Sequence, residues 1–315
     1  MRREDMITSY KTGTREEWLE LRKQYIGGSD ASAVVGMNPY RSAYALWAEK
    51  TGKVAGFEGN ITTQVGAYLE EFVAKMFESE TGKKVRKRNA TLVNSLYPFA
   101  CANVDRLVIG EEALLEIKTT NSVPLMRKLR NSDDFPDAYY CQCVHYLAVT
   151  GLKKAYLAVL INCREFRVFE LGRDEAEISA LMGAEKEFWQ CVENDTPPAI
   201  DGTQSSSDTL SAIYPESNGE TVDITAFNTV LMEREAINAQ IKELKELKDD
   251  CENKVKAYMA EAAKGESDRF SVSFASSVRK TFDVKALAKD YPAIDLDGYY
   301  KETTTRTFRV AEKGA

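Results

Sequence analysis

"NVDRLVIGEEALLEIKTT", residues Asn103 to Thr120, decides how the rest of the chain is read. Leu114, Leu115 and Ile117 mark buried strand, yet Glu116 and Lys118 sit among them. The stretch reads as a hairpin in which Gly110 takes the positive φ at the first loop position of a type II′ turn, with Glu111 second. Ile109 then faces Glu112, and the register sets Asp105 opposite Glu116. Side chains alternate along a strand, so Lys118 shares the face of Glu116 while Ile117 points into the core. A slip of one residue would separate the two carboxylates.

Carboxylates facing each other at strand spacing repel unless a cation lies between them. A hard divalent ion with oxygen ligands suits the place, Mg²⁺ first, with Mn²⁺ able to stand in. Such an ion polarises a phosphodiester and lowers the pKa of a water. Lys118 is placed to orient that water or to offset charge developing on phosphorus. The same triplet also fits an ion-pair ladder on a half-exposed sheet.

Working outward, "TREEWLELR" predicts a short helix capped by Thr14, with Glu16 and Glu17 in its first turn. A Gly-Gly turn leads to a small-residue helix starting near Ser29 or Asp30, and Arg22 and Ser29 flank that turn as an anion cradle. "SAYALWAEKTG" is a helix closed by Gly52. Thr62 to Thr81 is a longer one, with Val65, Leu69, Phe72, Val73, Met76 and Phe77 on one stripe and Gly82 as its stop. Glu70 rides on this helix and offers a further carboxylate, while Glu71 faces solvent. "KKVRKRNATLVNS", "FACANVDRLVI" and "ALLEIKTT" read as three strands. A helix from about Pro136 to Thr150 places Gln142 and Tyr146 four apart on one face. Strands "KAYLAVLI" and "EFRVFEL" and a helix from Glu175 to Glu193 complete the block. This order predicts an α/β (α+β) domain.

Residues 202–222, rich in Ser, Gly and Asp, read as a linker. Beyond it, Val230, Arg234, Ile237, Ile241, Leu244, Lys248, Cys251, Val255, Tyr258 and Ala262 alternate spacings of four and three. That is a heptad seam with two charged interruptions, equally compatible with a helix docked on its own chain. The tail predicts a hairpin, a short helix and a last strand.

The chain has 315 residues, 43% hydrophobic, enough for one large domain or two modest ones. Its apolar runs are too short to cross a bilayer, and its opening lacks an apolar signal core, so we expect a cytoplasmic protein without membrane contact. The net charge of −7 argues against indiscriminate coating of nucleic acid, although it leaves room for a local groove. Six scattered cysteines without a CxxC pair read as buried free thiols. His145 is the lone histidine, which excludes any mechanism that needs two.

"GAYLE", "NVDRL", "LEIK" and "QCVHY", in this order, resemble the PD-(D/E)XK nuclease superfamily, above all its lambda-exonuclease branch and the YqaJ-type phage recombination nucleases. "WLELRKQYIGGSDAS" is similar to the opening of that branch, and the resemblance covers about residues 17–202. It implies a restriction-endonuclease-like core, a central mixed sheet flanked by helices, over residues 1–201. Residues 223–315 would form a long helix and a small β-containing tail for oligomerisation or partner contact. It further implies that Asp105 and Glu116 bind metal with the main-chain carbonyl of Ile117, that Glu70 is an extra ligand and that Lys118 positions the attacking water. Gln142, supported by Tyr146, would hold the metal site or the terminal phosphate. Arg22 and Ser29 would grip a 5′-phosphate. The implied activity is a Mg²⁺-dependent 5′-to-3′ exonuclease on double-stranded DNA ends, leaving 3′ overhangs for a single-strand annealing protein. A homo-oligomer and a phage or prophage origin within a bacterial host belong to the same expectation. Val104 stands where the superfamily name has proline. The competing readings are a DNA-end-binding or recombination scaffold without turnover, a PD-(D/E)XK endonuclease, and an interaction protein whose business lies in the heptad helix. Lys83, Lys84, Arg86, Lys87 and Arg88, with Arg127, Lys128 and Arg130, are candidates to line a duplex path.

Overall fold

The computed structural model describes residues 6–57, 59–122, 125 and 135–311. It divides into two units, Met1–Tyr214 and Pro215–Ala315.

The first unit runs β1 (Ile7–Tyr10), α1 (Arg15–Lys23), β2 (Ile26–Gly27), α2 (Gly28–Val34), α3 (Ala43–Lys50), α4 (Ile61–Thr81), β3 (Val85–Lys87), β4 (Thr91–Asn94), β5 (Ala100–Ala102), β6 (Arg106–Val108), β7 (Ala113–Thr120), α5 (Asp137–Thr150), β8 (Lys154–Ile161), β9 (Glu165–Gly172), α6 (Glu175–Glu193) and α7 (Gln204–Ile213). Two mixed sheets result: five strands in the order β3-β6-β7-β8-β9, and four in the order β1-β4-β5-β2. Two segments expected as single strands each divide between the sheets. Residues 88–90 carry the chain from β3 to β4, and residues 103–105 carry it from β5 to β6.

β7 is central because both of its faces are greasy. Leu115 and Ile117 pack with Val73 and Phe77 of α4 on one side, and Leu114 joins Cys143 and Leu147 of α5 on the other. α5 lies between the sheets, against β4, β5 and β8, which is why every residue from Cys141 to Thr150 is buried. Its one imidazole is tied down on both sides: His145 Nε2 donates to the Cys101 carbonyl (2.9 Å), and Nδ1 faces the Glu185 carboxyl of α6 (2.8 Å). α4 begins at an Asn60 cap and stops at Gly82 with φ +71°. The stripe expected on α4 is split, since Val73 and Phe77 are buried while Val65 and Phe72 are exposed.

Three further expectations need correction. The segment read as linker holds α7, capped by Thr203 and anchored where Ser206 Oγ donates to Ser42 Oγ at 2.9 Å. Its serine-rich composition imitates a loop, yet its hydroxyls bond back within the helix, as Thr209 does to the Ser205 carbonyl (2.8 Å). Of the cysteines, all free, Cys101, Cys141 and Cys143 are buried, whereas Cys163 and Cys251 are exposed. The basic run is largely neutralised within the chain: Lys83 by Glu111, Lys84 by Glu78 and Lys87 by Glu71. Arg127, Lys128 and Arg130 lie outside the described residues.

The second unit holds α8 (Asn228–Met259), the hairpin β10 (Lys264–Glu266) with β11 (Ser271–Ser273), and α9 (Val284–Asp290). The strand expected at the end of the tail does not form among the described residues. No described helix is long and apolar enough to cross a membrane.

Candidate active site

The site grows from the β6–β7 hairpin. Gly110 sits at φ +85°, a conformation that side chains resist, and so closes the turn. Arg106 pairs with Leu115 and Leu107 with Leu114, a register that sets Asp105, just outside β6, opposite Glu116. Asp105 is not part of the ladder. Its Oδ2 instead accepts the Ile117 N–H at 2.8 Å. A strand residue projects its N–H and C=O from the same edge, so the Ile117 carbonyl is directed to this side as well.

Glu116 is the hub. Its Oε1 accepts from Lys118 Nζ (2.6 Å) and from Gln142 Nε2 (2.6 Å). Gln142 Nε2 also lies 3.0 Å from the Tyr146 hydroxyl, which confirms that the two share a face of α5. Glu116 Oε2 is buried and has no hydrogen-bond partner among the described residues. Burial and then the neighbouring Glu116 carboxylate push the Asp105 carboxyl well above the ordinary range. Burial alone would lower the Lys118 pKa, but Glu116 and Asp105 overturn that and hold the ammonium charged. Its Nζ also stands over the Tyr139 ring at 5.4 Å.

This arrangement fits a hard divalent cation. Two carboxylates converge, one buried carboxyl oxygen lacks a partner among the described residues, and an orphan of that kind costs about 1–3 kcal/mol unless something occupies its free side. Asp105 and Glu116, with the Ile117 carbonyl, are the groups that would hold it. The Glu70 carboxylate bonds to the guanidinium of Arg106. Arg106 is buried on the α4 face of the hairpin, also holds Glu71 (3.1 Å), and donates to the Asp105 carbonyl (2.8 Å). Glu70 reaches Asp105 only through its charge. Sequence reasoning missed Arg106. Its signal was its place beside Asp105, on the face that turns toward the Glu70 helix.

A second cluster adjoins the first. Arg22 Nη2 donates to Ser29 Oγ at 2.8 Å and its guanidinium stacks on Trp18, 4.9 Å from the ring centroid. Behind them Asp30, which sequence reasoning did not single out, is fully buried among Arg41 (2.8 Å), Lys50 (3.0 Å) and Arg22 (3.7 Å). It also accepts the Gly27 N–H at 3.1 Å. Burial by itself would raise the Asp30 carboxyl, but Lys50, Arg41 and Arg22 hold it far below the usual range. Lys50 fixes the turn as well, donating to the carbonyls of Arg22 (2.9 Å) and Tyr25 (2.7 Å). The clusters meet at Gly28, where a Cβ would stand 2.3 Å from Tyr146 Cε1. Only glycine lets α2 lie this close to α5. Arg22, Ser29, Gln142, Tyr146, Glu116, Lys118 and Asp105 thus form one neighbourhood, with Glu70 at its margin.

A family model for the YqaJ-like viral recombinase domain matches residues 17–153. The uncharacterized protein YqaJ of Bacillus subtilis (strain 168) is 36% identical over 317 residues, covering 99% of this chain and 98% of its own. Among solved structures, the alkaline exonuclease LHK-Exo from Laribacter hongkongensis is similar in two forms. In complex with dAMP it matches at 21% identity and a TM-score of 0.50, and the second crystal structure at 22% and 0.48. Each match covers 57% of this chain and 94% of that one, and the match to the dAMP complex is a likeness of fold.

Proposed function

This chain belongs to the YqaJ-like viral recombinase family, and we propose that it is a divalent-metal-dependent DNA exonuclease acting at the ends of linear duplex. The observation that carries the reading is the buried, partnerless Glu116 Oε2 beside Asp105, with Lys118 at hydrogen-bond distance from the same carboxylate. A Mg²⁺ ion held there by Asp105, Glu116 and the Ile117 carbonyl would supply charge to polarise a phosphodiester and acidify a water.

The protein's own groups do the rest. Lys118 stays protonated and offers its ammonium to charge building on the scissile phosphate. Gln142 fixes the rotamer of Glu116 and is itself fixed by Tyr146. Arg22 and Ser29 take a 5′-phosphate, so the bond presented to the carboxylates is the one next to the strand's 5′ end. This sets a 5′-to-3′ direction and leaves a 3′ overhang, the substrate a single-strand annealing protein takes. We assign this activity to the unit Met1–Tyr214. Glu70 would join the donors after leaving Arg106.

End-labelled linear duplex and covalently closed circular DNA, each with Mg²⁺ and with or without chelator, test the reading. Release of labelled mononucleotide from 5′-labelled linear DNA, abolished by chelator and absent from the circle, is expected. Cleavage of the circle would mean an endonuclease, and binding of ends without release would mean a scaffold.

A further inference from the structure

α8 carries a regular apolar stripe that the described residues of its own unit leave largely exposed, with only the Phe308 ring over the Arg234 guanidinium (5.7 Å) near one end. Val230, Ile237, Ile241, Leu244 and Val255 are each 45–64% exposed, and Cys251 on the same stripe is exposed too. Their spacing makes Arg234, Ile241, Lys248 and Val255 the a positions of a heptad, and Val230, Ile237, Leu244 and Cys251 the d positions. An uncovered stripe of this length marks an association surface. Its occupant has to be a helix of the same seam length that tolerates Arg234 and Lys248 in the seam.

We propose that the occupant is α8 of a second copy, running antiparallel, with Ile241 against the partner's Leu244. A closed pair of identical helices has two-fold symmetry, so it is either parallel in register or antiparallel. The parallel pair sets Arg234 on the partner's Arg234 and Lys248 on the partner's Lys248, with like charges facing within the seam. The antiparallel pair centred between Lys242 and Glu243 removes both clashes. Val230 then faces the partner's Val255, Arg234 faces the partner's Cys251, and Ile237 lies along the stem of the partner's Lys248, whose amine reaches water. On the flank, Glu233 comes beside the partner's Lys254. Asn228 lies opposite the partner's Ala257, so nearly the whole helix is used. Sliding the pair so that it centres on Glu246 instead opposes Lys245 to the partner's Lys245. The pairing is independent of the nuclease chemistry.

The test uses the full chain with Cys163→Ser and Cys191→Ser, which leaves Cys251 as the accessible thiol. In the antiparallel pair the two Cys251 thiols lie about 26 Å apart along the axis at 1.5 Å per residue, so mild oxidation gives no covalent dimer. Adding Arg234→Cys sets a thiol opposite the partner's Cys251 and gives one. By sedimentation the parent is a dimer at micromolar concentration, and Ile241→Asp is a monomer with unchanged helix content. Glu233→Lys weakens the dimer about tenfold, and adding Lys254→Glu restores it. The charge-swap pair decides the matter even if Ile241→Asp fails to fold. A monomeric parent, a dimer that survives Ile241→Asp, covalent linkage of the parent through Cys251, or no rescue by the double swap would each overturn the proposal.

Discussion

Asp30 is buried and Asp105 half-buried in the same unit, and their surroundings push them in opposite directions. Asp30 is ringed by three cations and a backbone N–H, and its carboxyl is held far below the ordinary range. Asp105 faces a second carboxylate whose outer oxygen has no partner, and its carboxyl is driven far above that range. A balanced buried charge holds structure. An unbalanced one is a cost that the fold keeps because something must bind there. Substitutions should therefore act oppositely at the two places.

The largest effect is expected at the unbalanced end. Glu116→Gln, Asp105→Asn and Lys118→Ala should each lower nucleotide release by roughly 10³-fold. Glu116→Gln keeps the shape and removes the repulsion on Asp105, so its melting temperature without metal should equal or exceed the parent's. Digestion at the parental rate by a pure variant would remove that residue from the chemistry. A clear fall in melting temperature for Glu116→Gln would mean that this carboxylate is structural after all.

At the balanced end, Asp30→Asn leaves Lys50 and Arg41 facing an amide, and Lys50 is itself buried. Removing one partner of a buried pair costs about 3–5 kcal/mol, which for a unit of this size lowers the melting temperature by about 10 °C. The pH dependence has a definite sign. The folded pKa of Asp30 lies below its ordinary 3.8, so its stabilisation is full above that value and is lost as pH falls toward the folded pKa. Asp30→Asn should therefore flatten the acid limb of the stability profile. His145 and Glu185 act at the other end, since both hold their protons more tightly in the fold. Their contribution declines as pH rises above the ordinary 4.5 of Glu185 and the 6.5 of His145, and Glu185→Gln should flatten that limb.

Much of the unbalanced site was legible because strand alternation and one glycine turn fix it. Given Gly110, the register of Asp105 against Glu116 follows from counting, and Lys118 follows from alternation. The helical spacing of Gln142 and Tyr146 was equally readable. Asp30 was not, because its three cations come from α1, α3 and the loop between α2 and α3, and nothing local marks their convergence. Arg106 escaped for a related reason: which carboxylate it takes depends on where α4 crosses the hairpin. The division of two strands between two sheets was hidden because both halves of each carry strand-forming residues. Only the strand pairing shows where the chain changes sheet: β3 pairs with β6 in one sheet, and β4 with β5 in the other.

Gly28 lies where the two regions touch, and a side chain there tests whether they are coupled. Gly28→Ala forces the Tyr146 ring to shift, at a cost of about 1–3 kcal/mol. Because Tyr146 supports Gln142 and Gln142 supports Glu116, activity should fall about tenfold, a modest supporting-residue loss. Tyr146→Phe in the Gly28→Ala background should cost little more. Additive losses would show that the glycine matters for packing alone.

The smallest effect separates substrate grip from structure within the balanced cluster. Arg22 stands farthest of the three cations from Asp30 and is partly exposed, whereas Lys50 and Arg41 are close enough to neutralise the carboxylate without it. Arg22→Ala should therefore change the melting temperature little. Its bond to the exposed Ser29 hydroxyl points to an anion that arrives from outside, so the loss should appear on 5′-phosphorylated ends, about tenfold, and hardly at all on 5′-hydroxyl ends. A charge-assisted contact worth about 1.5 kcal/mol is all that such a ratio requires. Equal loss on both kinds of end would place the grip elsewhere and return Arg22 to the structural side, as one more counterion for Asp30.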